Sequence, residues 1–488
     1  MGKYIPLKEL ARRSLEESGF LVGFSKEIDR EVLLISAQNE FVMNSSVKDL
    51  SHLPWSSIDN IDSMDLDQLE YVERINGLGY RVYVAIADVD SQLALGSAMD
   101  ARATQNTTSI YLGIEIVTMI PELLCYNRTS LLEGKKRNAI VVEFDVALDG
   151  SVKQSHIYLA LVCNQGKFSY DEVALLLEKG EISPALKQHS KLVTQLHLQD
   201  EVAQVLRKKR TESGALELET IEARPVINRG QVVSLEVTPK NRARELIEDL
   251  MIAANTCCAL FLTEHKISSL RRVVRVPKRW SRIVALALEL GYELPKEASS
   301  LALAHVMRDV RTKYPERFPD LSLSVVKLMG NGEYVLETSS SQAEGHFGLA
   351  VEDYAHSTAP NRRFADLITQ RLLKSCLLGY KVPYSDTDLS FLANQCTQRS
   401  DAAQKVERFV RKAIAAQFLS NRIGDVFDGI ITGASDKGIY ARLFRFPAEG
   451  RVVFGGRGLD VGQKVKLKLV ATLPPLGHID FAVHDAAD

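Results

Sequence analysis

The stretch SIDNIDSMDLDQLEYV (57–72), followed at 80–90 by YRVYVAIADVD, decides how this chain reads. Four aspartates, Asp59, Asp62, Asp65 and Asp67, fall within nine positions. Carboxylates this crowded raise one another's pKa unless they are solvated or share a cation. Magnesium takes hard oxygen ligands and keeps waters and phosphate in its shell, so two or three carboxylates suffice to hold it. Taken alone, the loop reads equally as a solvated acidic turn capping a helix.

Outward from the loop the texture is that of a mixed α+β body. RVYVAIADVD (81–90) and NAIVVEFDVALDG (138–150) alternate apolar and polar residues as strands do, and SVKQSHIYLALV continues after a turn at Asp149-Gly150. Helices take over with EVALLLEKG, the run 187–210 and ELIEDLMIAANTCCALFL (245–262). In the last, Ile247, Leu250, Met251, Ala254, Cys258 and Phe261 form an inward stripe, with Glu245, Glu248 and Asp249 on another side. A helix follows Pro360, and a long one runs to about Asn421. Residues 1–50 read as a helix stopped by Gly19 and then a strand, REVLLIS, a segment that covers an edge of the body. After Gly424, five short strand candidates separated by Gly, Pro and charged turns predict a small barrel of the OB type over 425–488.

The 488 residues are 45% hydrophobic and 25% charged, with a formal net charge of −2. That excludes a surface uniformly basic enough for generic polyanion binding, but not an acidic metal centre inside a basic channel. The six cysteines contain no C-x-x-C pair and read as reduced core residues. The N-terminus has no apolar signal core, and no stretch approaches roughly 20 apolar residues. The expectation is a cytoplasmic protein with no membrane partner.

The residues 80–146 resemble the catalytic domain of the RNase II-type (RNB) exoribonucleases, in which an aspartate loop precedes HIADV-like, GS-x-x-D, SVYLP-like and MLPE-like segments. RTESGALELE (210–219), ELIEDLMIAAN (245–255) and HFGLAVEDYAHSTAPNRRFADLITQRLL (346–373) resemble further family segments, in the family's order over about 52–380. The resemblance implies an RNB domain over 51–385, a helical extension over 386–424 and an S1-like RNA-binding barrel over 425–488. It implies that Asp59, Asp65 and Asp67 hold Mg²⁺ (Mn²⁺ substituting), with Asp67, Asp65 and Arg362 catalytic. Tyr111 is implied to stack on a terminal base, and Tyr170 and Glu248 to read a ribose 2′-hydroxyl. Arg363 is expected to add an RNA contact. His346 and His356 are expected to be structural.

Four departures bear on activity. The fourth aspartate of the family's loop is Gln68 here, a neutral ligand, with Asp62 expected to supply part of the lost charge. Leu218 stands where the family often has phenylalanine. TSPIR reads Thr358-Ala359-Pro360-Asn361-Arg362. Fifty residues before the catalytic domain are too few for tandem cold-shock domains, which implies a more open RNA path. The reading is a monomeric, processive 3′→5′ exoribonuclease that degrades single-stranded RNA, not DNA, to nucleoside 5′-monophosphates. The alternative is a weakened or silent RNA-binding protein on the same fold, and a third reading is another metal-dependent phosphodiesterase.

Overall fold

The structure, a computed structural model, describes residues 6–219, 223–228, 231–237, 240–341, 345–435 and 438–484. Its centre is a strongly closed sheet. Strands Trp55–Asp59, Gln68–Ile75, Gly79–Ala87 and Lys136–Ala147 run in order, and the long strand Val152–Ser169 pairs with both Lys136–Ala147 and Trp55–Asp59. The ring closes because Val152–Ser169 is 18 residues long. Its first two thirds pair antiparallel with one neighbour, and its last part pairs parallel with Trp55–Asp59. Val47–Asp49 adds a parallel edge beside Leu159–Leu161, so the residues before 51 do cover part of the sheet.

One expected element changes class. REVLLIS belongs to a helix, Lys26–Ser36. Ser25 caps it by accepting the Ile28 N–H at 3.4 Å, Glu27 and Asp29 occupy its first turn, and Ile28 and Ile35 are buried seven residues apart. Cap, acidic first turn and period outweigh the β-branched composition.

Helices Ser190–Glu212 and Arg242–Glu264 pack beside the ring, and Phe364–Leu378 lies against the inner one of these. By length and composition Arg242–Glu264 is apolar enough to cross a membrane, contrary to the sequence expectation, but 67% of its apolar window is buried within the protein. The helices Trp280–Glu289, Ser300–Lys313 and Phe318–Met329 form a second cluster around Trp280 and Phe318. The long helix Asp386–Leu419 carries Val406, Val410, Ala413 and Ile414 inward. It joins the first helix, Leu7–Glu17, to a closed five-stranded barrel built from Val426–Ser435, Gly438–Leu443, Glu449–Phe454, Lys464–Leu473 and His478–Val483. Arg442 of the barrel forks onto Asp320 at 2.7 and 3.2 Å, a buried pair that fixes the barrel against the helical cluster. All six cysteines are free thiols.

Candidate active site

The aspartate loop leaves the ring at Asp59 and re-enters it at Gln68, and its shape is set by what pins it. Ser130 accepts the Leu66 N–H at 3.0 Å and donates to the Met64 carbonyl at 2.6 Å, clasping the backbone on both sides of Asp65. Leu66 is sunk in the core as a plug. Lys167 Nζ donates to the carbonyls of Ile61 and Ser63. Asp65 is thereby turned towards a cleft of about 910 Å³, while Asp67 is turned inward and is 2% exposed.

Asp67 meets the loop that follows Pro360. Its Oδ1 accepts the Asn361 backbone N–H at 3.0 Å, and Arg362 Nε lies 3.5 Å from its Oδ2. Asn361 is itself anchored, its Oδ1 accepting from Thr129 Oγ1, and the Arg362 carbonyl accepts the Ser109 N–H at 2.9 Å. Asp67 Oδ2 is buried and has no hydrogen-bond donor among the described residues. Burial, partly opposed by the Arg362 charge, pushes its carboxyl up to about 7. Burial likewise raises Asp59, whose strand pairs with Ser169 immediately before Tyr170.

The remaining expected residues divide. Tyr111 is 39% exposed at the cleft and its hydroxyl donates to Asp65 Oδ2 at 3.0 Å. Leu218 lines the same cleft. Arg244 covers the Tyr170 ring at 4.2 Å and donates to Asn60 Oδ1. Glu248 faces the cleft but is paired with Lys240 at 3.0 Å, and no hydrogen bond joins it to Tyr170 among the described residues. Gln68 is half-buried, at the first position of its strand.

Two expectations are corrected. Arg363 is not presented to the cleft, because its Nε and Nη2 fork onto buried Asp366 at 2.9 and 2.8 Å. Asp62 adds no charge to the centre: it is exposed and paired with Arg224 at 2.6 Å. The cleft wall is mixed in charge, with Arg224, Lys240, Arg244 and Arg411 among Asp62, Asp65, Glu115, Glu219, Glu248 and Glu407. His346 and His356 are indeed packed away, His356 bonded to the Tyr334 hydroxyl at 2.7 Å and held neutral by burial.

Sequence reasoning missed Asn361, Thr129 and Ser130, which position the aspartates through backbone groups that leave no local pattern. It also missed the network in which Lys374 bridges Asp88 and Asp90 while Arg371 holds Asp90 and Asp100. All but Lys374 sit inside the quoted segments, and together they tie helix Phe364–Leu378 to the segment that follows strand Gly79–Ala87.

A divalent cation fits this centre on the chemistry of its donors. Among the described residues no three acidic, imidazole or thiol groups form a ready cage. Magnesium does not require one, since waters and substrate phosphate complete its shell. The bare Asp67 Oδ2 is an acceptor in want of a cation.

Known proteins resemble this chain in sequence and fold. Ribonuclease R of Vibrio cholerae is 28% identical over 445 residues, covering 87% of this chain and 53% of that protein. Ribonuclease R of Escherichia coli is 27% identical over 474 residues, covering 89% and 57% respectively. The chain thus spans little more than half the length of these relatives. Mycoplasma genitalium RNase R in complex with ribose-methylated single-stranded RNA superposes with a TM-score of 0.88 at 22% identity, over 98% of this chain and 78% of that one. Yeast Ssd1, described as a pseudonuclease, superposes with a TM-score of 0.72 at 15% identity, over 95% and 57%. With the RNB domain matched over 47–379 and the RNase II-type exonuclease C-terminal S1 domain over 425–484, the chain belongs to the RNB domain family.

Proposed function

We propose that this protein is a 3′→5′ exoribonuclease that hydrolyses single-stranded RNA to nucleoside 5′-monophosphates at the Asp59–Asp65–Asp67 centre. The observation that carries the reading is the buried Asp67 Oδ2, without a hydrogen-bond donor among the described residues and 3.5 Å from Arg362 Nε, two positions from Asp65, which lines a cleft whose wall also bears Tyr111. Asp67, Asp65 and Asp59, with Gln68, would hold Mg²⁺ or Mn²⁺. The bound cation supplies a water acidified for attack and offsets charge on the leaving oxygen.

The chain's own residues do the rest. Arg362, with 45% of its side chain exposed, offers charge-assisted donors to the non-bridging oxygens of the scissile phosphate. Tyr111 presents a ring face for a terminal base, a contact worth about 1–3 kcal/mol and indifferent to sequence. Arg244 and Tyr170 form a stacked pair beside Asp59, suited to the terminal ribose and its phosphate. The mixed cleft wall favours a short stretch of RNA threaded past paired charges over a duplex held by many phosphate contacts. Localisation in the cytoplasm and a monomeric state are part of the same proposal.

Gln68 favours a second reading, an RNA-binding protein with weakened chemistry. Incubating 3′- and 5′-labelled RNA and DNA oligonucleotides with Mg²⁺, Mn²⁺ or EDTA separates the two. Stepwise loss of RNA from its 3′ end, abolished by EDTA, is expected. Binding without shortening would establish the second reading, and cleavage of DNA would overturn both.

A further inference from the structure

Between the strands Ile116–Val117 and Lys136–Ala147 lies a short π-helical turn, Leu124–Arg128, closed by the Thr129 N–H donating to the Leu124 carbonyl at 3.0 Å. Such wide turns are rare and cluster at functional sites. This one is pinned on its inner side. Leu124, Cys125 and Arg128 are buried, and Arg128 Nη2 donates to the carbonyls of Ile35 and Gln38. Thr129 and Ser130 follow at once, the first bonded to Asn361 and the second clasping the backbone around Asp65. Tyr126 is therefore mounted on the same segment that positions the aspartates.

Its side chain is half-buried, packs against the core and lines the cleft. Packing accounts for the ring but not for the hydroxyl. Where tyrosines serve the fold, the hydroxyl is used: Tyr80 donates to Glu201, Tyr83 to Glu73 and Tyr158 to Glu143. The Tyr126 hydroxyl makes no hydrogen bond among the described residues. Tyr111 and Tyr126 are the two aromatic rings among the described residues that line the cleft, and Leu218 lines it without a ring. A cleft that takes unpaired bases of any sequence holds them on π faces, and each ring adds a face.

We propose that Tyr126 is a second base-stacking residue of this cleft, contacting the nucleotides nearest the aspartates. This rests on the reading of the cleft as the path of single-stranded RNA. The competing role is core filling, under which Tyr126 would affect folding but not RNA.

The test is the binding of a short, labelled single-stranded RNA in EDTA, followed by anisotropy, for the whole chain as wild type, Tyr126→Phe, Tyr126→Leu and Tyr111→Ala. Tyr126→Leu keeps apolar volume and loses the ring, and is expected to weaken binding about tenfold; Tyr126→Phe keeps the ring and is expected to weaken it less than about twofold. Wild-type affinity in Tyr126→Leu, or an equal loss in both variants, would overturn the inference. Where Tyr126→Leu does not fold, Tyr126→Trp carries the test. Its emission is expected to change when RNA is added, beyond any response of the buried Trp55 and Trp280 in the wild type, and unchanged emission would overturn the inference. Loss of affinity in Tyr111→Ala alone brings down only the role of Tyr126. A wild type that does not bind, or no loss in either Tyr111→Ala or Tyr126→Leu, brings down the RNA reading of the cleft and the role of Tyr126 with it.

Discussion

Two sets of buried carboxylates in this molecule are equally dry and oppositely treated. Asp249 on helix Arg242–Glu264 is 2% exposed and sits between Arg207 and Arg210; Asp366 is 0% exposed, gripped by Arg363 and by the Ala359 N–H. Asp67 and Glu70 are as buried, yet three of their four carboxyl oxygens have no hydrogen-bond partner among the described residues. Burying a charge is tolerated when a partner repays the lost hydration and is otherwise a standing cost. The fold satisfies the first set fully and the second only in part, and the open Asp67 oxygen is the acceptor that the proposed cation site uses.

The sharpest way to break that contrast is to neutralise one member of each set. Asp249→Asn takes the carboxylate from between Arg207, which keeps Glu245, and Arg210, and is expected to lower unfolding free energy by about 3–5 kcal/mol in denaturant titrations. Asp67→Asn in EDTA is expected to cost much less, because only the 3.5 Å ion pair with Arg362 and the Asn361 N–H offset the burial of this acid. Equal destabilisation by both would erase the distinction. Next in size is Arg362→Lys, which keeps the charge but loses the fork. It should cut the rate of RNA hydrolysis on the order of 10²–10³-fold with the melting temperature preserved, a loss typical of removing one charge-stabilising donor.

Tyr111→Ala should weaken binding of a short single strand by about 1–3 kcal/mol, measured by anisotropy, whereas Tyr111→Phe keeps the ring and should retain most of the affinity. A large loss in Tyr111→Phe would mean that the hydroxyl bond to Asp65, not stacking, is what matters.

The smallest expected effect concerns His346, which burial drives down to about 4. The folded state holds this imidazole neutral while the unfolded chain protonates it near 6.5, so stability falls as pH drops through 6.5 towards 4. By pH 5.5 the loss should be roughly 1 kcal/mol. His346→Gln should flatten that part of the profile.

Much of this was legible in the sequence because its signals are local. The alternating strands of the ring, the five short strands of the barrel and the four-aspartate loop each declare themselves within a dozen residues. REVLLIS misled because its composition is that of a strand, and only the Ser25 cap and the Ile28–Ile35 spacing mark the helix. Arg363 and Arg362 are adjacent and chemically identical in sequence. Their separation into a fold-holding fork and a half-exposed partner of Asp67 depends on Asp366 one turn on and on Asp67, which is 294 positions from Asn361. Asp62 and Glu70 show the same limit: the acid inside the aspartate cluster pairs with Arg224 outside it, and the acid outside the cluster is wholly buried opposite Ser56.

The most direct test of the account is the pairing of wild type with Asp67→Asn on one 3′-extended, end-labelled RNA in Mg²⁺, with binding and shortening followed in the same samples. The account predicts stepwise shortening by the wild type, and binding without shortening by Asp67→Asn. Shortening by Asp67→Asn at a wild-type rate would contradict it, and the donor-free carboxylate beside Arg362 would not be the reacting centre.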